Sequence, residues 1–234
     1  MDKLIIIGIN TTASNIYQVI KKYNSHNVIG FAVNAKYRTQ NKFHDLPVFE
    51  LETLKSKINP IETKLFIAVQ WNKLNSDRKK LYETLKQEGF KFANIVAPSA
   101  IIHNESSIGE NCWIADLVVI EPYCSIGNNT FIKTKVWVGH YSIIKEHCFI
   151  GACSVIAGNV TIKDQCFIGV NSTIIDNVQI GSKCIVGAGS LVINNLNSYS
   201  IIKPPKDHLV KKYDPQIIED KLLANYNHDT QHSE

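Results

Sequence analysis

The chain has 234 residues, 44% of them hydrophobic and 20% charged, with a formal net charge of +4. This is the composition of a globular protein with a substantial core, and the charge is spread without a basic block, which argues against a nucleic-acid binder while suiting small anionic ligands. No apolar run reaches the roughly 20 residues that span a bilayer, and "MDKLIIIGIN" lacks the pattern of a signal peptide, so a cytoplasmic protein with no membrane partner is expected.

Up to about residue 98, strand and helix signals alternate. "KLIIIGI" (3 to 9) and "VIGFAV" (28 to 33) are short β-rich runs, and between them Ile16, Val19, Ile20 and Tyr23 recur at helical spacing. "KLFIAV" (64 to 69) is a third strand; "SDRKKLYETLKQEG" then predicts a helix capped by Gly89, and "FANIV" (92 to 96) is a fourth strand before Pro98. Such alternation predicts a small Rossmann-like parallel sheet over 1–98.

Beyond residue 101 a six-residue period takes over. Every sixth residue from 102 to 192 is Ile or Val, without a gap. The position four residues after each is small or β-branched, as in Ser106, Cys112, Val118, Cys124 and Thr130, and glycine often follows the aliphatic residue directly, where a tight turn would use its freedom. An uninterrupted short period means a solenoid with the aliphatic residues stacked inside, predicted over 99–200. Five of the six cysteines occupy the small interior position; only Cys153 does not, and no C-x-x-C pair suggests zinc or a disulfide framework. The remaining 201–234 is read as an extension with a short helix and a polar tail.

The join "ANIVAPSAIIHNESSIGENC" and the motifs "VGHYSI", "AGNVTI", "CFIGVNSTI" and "IVGAGSLV" resemble the hexapeptide-repeat sugar acyltransferases, in the branch of bacterial nucleotide-amino-sugar N-acetyltransferases and sialic acid O-acetyltransferases. The resemblance runs to about Lys206. It implies a left-handed β-helix of 18 residues per coil, a hand opposite to the general rule for parallel crossovers. Residues 18 apart then stack. Trp113, Phe131, Phe149, Phe167 and Ile185 form one outer ladder, Val119, Trp137, Val155, Thr173 and Leu191 a second, and the mostly polar Ser107, Ser125, Ile143, Thr161 and Gln179 a third. Two apolar outer faces are expected to be buried between copies, as in the homotrimers typical of the family, the alternative being cover by the C-terminal helix of the same chain.

The resemblance also implies acetyl-CoA as acyl donor and no metal. In the family a general-base histidine lies 18 residues before the glycine of "GNV", which assigns His140, with the Gly158 N–H facing the thioester oxygen. Val170 and Ala188 would line the pantetheine arm, and Lys206 would meet a CoA phosphate. Glu121, Glu146 and a backbone carbonyl are candidates to hold the second ring nitrogen of His140. His147 is expected to be solvated. A three-histidine zinc site would need a ligand such as His103, which is two coils away. The nucleotide sugar is expected on the N-terminal half, at Gly8, Asn10, Thr11 and Thr12 after the first strand, Asn34 and Lys36 after the second, and Trp71 and Asn72 after the third, with Arg78 nearby. Together these imply N-acetylation of a nucleotide-linked amino sugar for surface-polysaccharide synthesis, the alternatives being O-acetylation of a sialic acid-like sugar or a non-catalytic binding solenoid.

Overall fold

The computed structural model describes residues 2–203. Lys206 and the expected C-terminal extension beyond residue 203 lie outside the described residues.

The N-terminal sheet has the order β3-β4-β2-β1-β5, from β1 (Lys3–Ile7), β2 (Asn27–Val33), β3 (Lys42–Phe43), β4 (Leu46–Glu50) and β5 (Thr63–Ile67). All pairings are parallel except β3 with β4. Helix α1 (Thr11–Tyr23) starts where Asn10 Oδ1 accepts from the Ala13 N–H at 2.9 Å and stops at Asn24, whose left-handed φ of 50° turns the chain out. A short α2 (Leu54–Lys57) and α3 (Ser76–Gln87) follow, and Gly89 terminates α3 with φ 91°. The fourth parallel strand is β4, "LPVFE", and not "FANIV". Of that segment, Phe92 makes one bridge to Leu65, while Ile95–Val96 pairs with Trp113–Ile114 in the next sheet. Asn94 drives the switch, because its side chain donates to the Gly109 carbonyl at 2.7 Å and accepts the Cys112 N–H at 2.8 Å.

From Ile95 the chain winds as a three-sided, left-handed parallel β-helix. Its first face holds seven two-residue strands from Ile95–Val96 to Ile201–Ile202, its second six from Ile101–Ile102 to Leu191–Val192, and its third five from Ser107–Ile108 to Gln179–Ile180. Partners are 18 apart, as in Trp113, Phe131 and Phe149, up to the last coil, where Ile185 pairs with Ile201 at 16. The interior is the predicted stack of Ile and Val with Cys112, Cys124, Cys148, Cys166 and Cys184, all buried; Cys153 is exposed. Glycine's place in the turns has a different cause from the one expected. The left-handed φ falls two residues later, at Asn111, Tyr123, Tyr141, Asn159 and their equivalents. What Gly139 supplies is room, since a Cβ there would lie 2.7 Å from the Gly158 nitrogen of the next coil.

The aromatic ladder of the first face is not a contact between copies. Trp113, Phe131 and Phe149 are buried against the chain's own α/β domain, with Phe66 stacked on Phe131 at 5.8 Å and Trp71 packed on Phe149 at 4.9 Å. Each buried aromatic ring contributes roughly 1.5–3 kcal/mol. No described residue of the α/β domain covers the second face, and among the described residues Ile101 and Leu191 at its ends are about 60% exposed (58% and 62%).

A polar ladder along the corner before the first face fixes the docking. Asn111 accepts the Ile67 N–H at 2.8 Å and donates to Asn129 Oδ1 at 2.7 Å; Asn129 donates to His147 Nδ1 at 2.8 Å; Gln165 donates to the Leu74 carbonyl and to Ser76 Oγ. His147 is therefore buried, not solvated, because this corner lies under α3 with Tyr82 edge-on to the ring. Burial, together with the charges of Lys79 and Arg78, pushes its pKa down to about 4. Arg78 is fully buried as well. Its guanidinium lies 4.1 Å over the Phe131 ring and donates to the Asn129 and Cys148 carbonyls at 3.2 and 3.0 Å. Desolvation pushes its pKa down to about 9, which leaves it charged at neutral pH.

Candidate active site

His140 stands at the turn between the second and third faces, the corner opposite the docked domain. One oxygen of Glu121, in the preceding coil, accepts both the His140 backbone N–H at 2.9 Å and ring Nδ1 at 3.1 Å. Burial raises the Glu121 pKa, but the hydrogen bonds and charge of His140 outweigh it and hold the carboxyl below its ordinary value. An ionised carboxylate only accepts, so Nδ1 carries the ring proton and Nε2 presents its lone pair. Of the three candidates for orienting this imidazole, the structure selects Glu121. Glu146 takes Asn128 and lies 3.6 Å from His147.

Nε2 faces Gly158, one coil on. A Cβ at Gly158 would sit 2.8 Å from Nε2 and 3.1 Å from Asp176 Oδ1, so only glycine lets the His140 ring pack this closely on the turn. The Gly158 N–H, expected to meet the thioester oxygen, instead donates to Asp176 Oδ1 at 2.9 Å. It shares this with other positions of the solenoid, where Glu110 N–H meets Asn128 and Glu146 N–H meets Asp164, each 18 residues on. The N–H groups of residues 139–141 and 157–159 are all engaged within the chain. Sequence reasoning missed Asp176, although its place 18 residues after Gly158 put it on the same corner.

Val170 (51% exposed) and the exposed Ala188 lie at the corner preceding the second face, whereas His140 and Gly158 lie at the corner following it. One chain thus places the two sets along opposite edges of a single face.

The α/β domain has its own cleft of about 960 Å³ at the carboxyl ends of β1, β2 and β5, where the strand order reverses direction and open parallel sheets bind ligands. It brings together Gly8, Asn10, Asn34, Lys36 and Asn72 of the expected residues and adds Tyr37, Glu52, Lys73 and Lys80. Gly8 has φ 128°, a conformation that favours glycine. Asn34 Nδ2 donates to Glu52 at 3.1 Å. Hydrogen bonds from the backbone and from Asn34 lower the Glu52 pKa against a smaller opposing effect of burial. Three expected residues do not line the cleft. Thr12 is buried and accepts from Gln70, Thr11 is exposed at the start of α1, and Trp71 packs against Phe149 and Phe167. Asn10 lines it with a committed side chain, which caps α1 and donates to the Ala68 carbonyl. Among the described residues no group of three or more His, Cys, Asp or Glu side chains could hold a metal, and no helix is long and apolar enough to cross a membrane.

The chain matches the bacterial transferase hexapeptide family (six repeats) over residues 105–140, 141–174 and 159–194. No curated protein sequence matches it. Among solved structures it is similar to perosamine N-acetyltransferase from Caulobacter crescentus, in complex with CoA and GDP-perosamine, with 25% identity, TM-score 0.74, and coverage of 86% of this chain and 93% of that one. A histidine-to-asparagine variant of the same enzyme gives 24% identity, TM-score 0.76 and coverage of 91% and 98%. The acetyltransferase domain of PglB from Neisseria gonorrhoeae shares the fold at 18% identity, with TM-score 0.77 and coverage of 88% and 98%. Residues 105–194 thus match hexapeptide transferase repeats, and over 86% of its length the chain is similar in fold to perosamine N-acetyltransferase.

Proposed function

We propose that the protein is an acetyl-CoA-dependent N-acyltransferase acting on the amino group of a nucleotide-linked sugar, with His140 as general base. The observation that carries this reading is the half-exposed Glu121–His140 pair, whose Nε2 lies beside Gly158 and has no hydrogen-bond partner among the described residues. The similarity to an N-acetyltransferase that binds CoA and GDP-perosamine supports the donor and the acceptor class.

A thioester is already activated, so the enzyme must bring the reactants together and manage one proton. The amine lone pair attacks the acetyl carbon as an N–H proton passes to Nε2. The C–S bond breaks, and the departing thiolate takes the proton from the imidazolium, giving an amide and free CoA. Because the Gly158 N–H is held by Asp176, the oxyanion is stabilised chiefly by the positive imidazolium that Glu121 keeps beside it. Gly158 itself lets the imidazole pack on this turn.

The cleft and His140 belong to opposite sides of the β-helix, and so one chain does not join them. In a trimer with the second faces turned towards a common axis, the His140 edge of each copy meets the Val170 and Ala188 edge of the next, and the pantetheine arm runs between them. The uncovered apolar second face supports this arrangement. The same reading sets the enzyme in the cytoplasm, supplying acylated sugars for surface polysaccharide. It is tested with acetyl-CoA and a panel of GDP-, UDP- and dTDP-linked amino sugars, by free-thiol release and product mass. Turnover of hydroxyl analogues alone would refute N-acylation. Sedimentation as a monomer would remove the shared site.

A further inference from the structure

We infer that Asp176 binds the amine of the acceptor as an ammonium ion, making it a residue that selects amines over hydroxyls and anions. This rests on the acyltransferase reading above. Asp176 and His140 stand on the same corner ladder, one coil to either side of Gly158. Both side chains pack on the Gly158 turn, where a Cβ would lie 2.8 Å from His140 Nε2 and 3.1 Å from Asp176 Oδ1, so the two polar atoms are no more than about 6 Å apart, within the span of one nitrogen hydrogen-bonding to each from the solvent side. Asp176 is exposed. Its Oδ1 accepts the Gly158 N–H, and no protein group among the described residues donates to Oδ2. An ionised carboxylate has about four lone-pair sites, so Asp176 can take an ammonium while keeping Gly158.

The surroundings point the same way. Glu121 places a second carboxylate behind the imidazole, and Glu121 and Asp176 make no ion pair with lysine or arginine among the described residues. Tyr141 packs edge-on to His140 at 6.0 Å and stacks in parallel on Tyr123 at 4.9 Å, with both rings more than half exposed. Aromatic faces attract cations. An aliphatic amine is mostly protonated near pH 7, so the acceptor arrives as a cation; it gives one proton to solvent water, and the neutral amine then reacts as described. A sialic acid-like acceptor, with its own carboxylate, meets repulsion at the same place.

Asp176→Asn keeps an oxygen for the Gly158 N–H and removes the charge. With GDP-perosamine or another amino-sugar nucleotide that the wild type turns over, this variant should raise the acceptor KM about ten- to a hundredfold, the range of a charge-assisted hydrogen bond. The acetyl-CoA KM and the turnover of the matching hydroxyl analogue should stay level. An unchanged acceptor KM overturns the inference and leaves the acyltransferase reading intact. Equal losses with amine and hydroxyl acceptors also overturn it, because Asp176 then acts only by holding the Gly158 turn. If the wild type turns over hydroxyl acceptors and no amine, both the reading and the inference fall.

Discussion

His140 and His147 are seven residues apart in one coil, yet they meet opposite physical conditions. His140 sits half-exposed at its corner, with one ring nitrogen tied to Glu121 and the other beside Gly158 without a partner among the described residues. His147 sits at a corner roofed by α3, with Nδ1 accepting from Asn129 and its charged form disfavoured. The two stand one place apart in the hexad, two residues after Val138 and three after Ile144, and they differ further in the neighbour that the rest of the chain brings. A solenoid corner under another domain becomes a staple, and one left open is free for chemistry.

The largest effect that sharpens this contrast is kinetic. His140→Ala should lower kcat by about 10²- to 10⁴-fold, the usual contribution of a positioned general base, without moving the unfolding midpoint. His147→Gln should do the reverse, and comparable rate losses in both would erase the distinction. Next comes the staple. Arg78→Ala strips the donors from two buried carbonyls and uncovers Phe131, so urea unfolding should show a loss of roughly 3 kcal/mol. The smallest effect is the pH dependence. The pKa of His147 in the folded state is about 4, below its unfolded value near 6.5, so the unfolded chain binds the extra proton in that window. Stability should decline as the pH falls from about 6.5 towards 4, and His147→Gln should flatten that part of the curve of thermal midpoint against pH.

The solenoid was legible because every coil repeats the same packing demand, so sixteen Ile and Val positions in register leave one architecture. His140 was legible only through the resemblance and its 18-residue distance from Gly158. What a face is covered by was not legible. The Trp113, Phe131 and Phe149 ladder reads as an apolar stripe whatever lies on it, and the α/β domain that covers it is held in part by residues distant in sequence, such as Asn75 and Arg78 reaching Cys166 and Cys148, 91 and 70 positions away. Strand β4 was missed because Pro47 and the short "LPVFE" resemble a loop, while "FANIV" has strand composition and is drawn into the helix by Asn94. Thr12, Asn10 and Trp71 have the chemistry of ligand contacts, but their side chains hold the turns and the domain contact together.

Stacking at intervals of 18 also governs how this molecule can change over generations. A deletion or insertion of one whole coil returns every later side chain to its face, whereas a gain or loss of six residues would move each later strand to the next face and carry the aromatic stripe out from under its cover. Even a whole-coil change is neutral only above Asp176 or below Glu121. Between those positions four successive coils hold one shared arrangement, and an added turn there would part His140 from its carboxylate or from the glycine it packs on. Length variation among descendants of this chain should therefore come in eighteens and fall outside that interval.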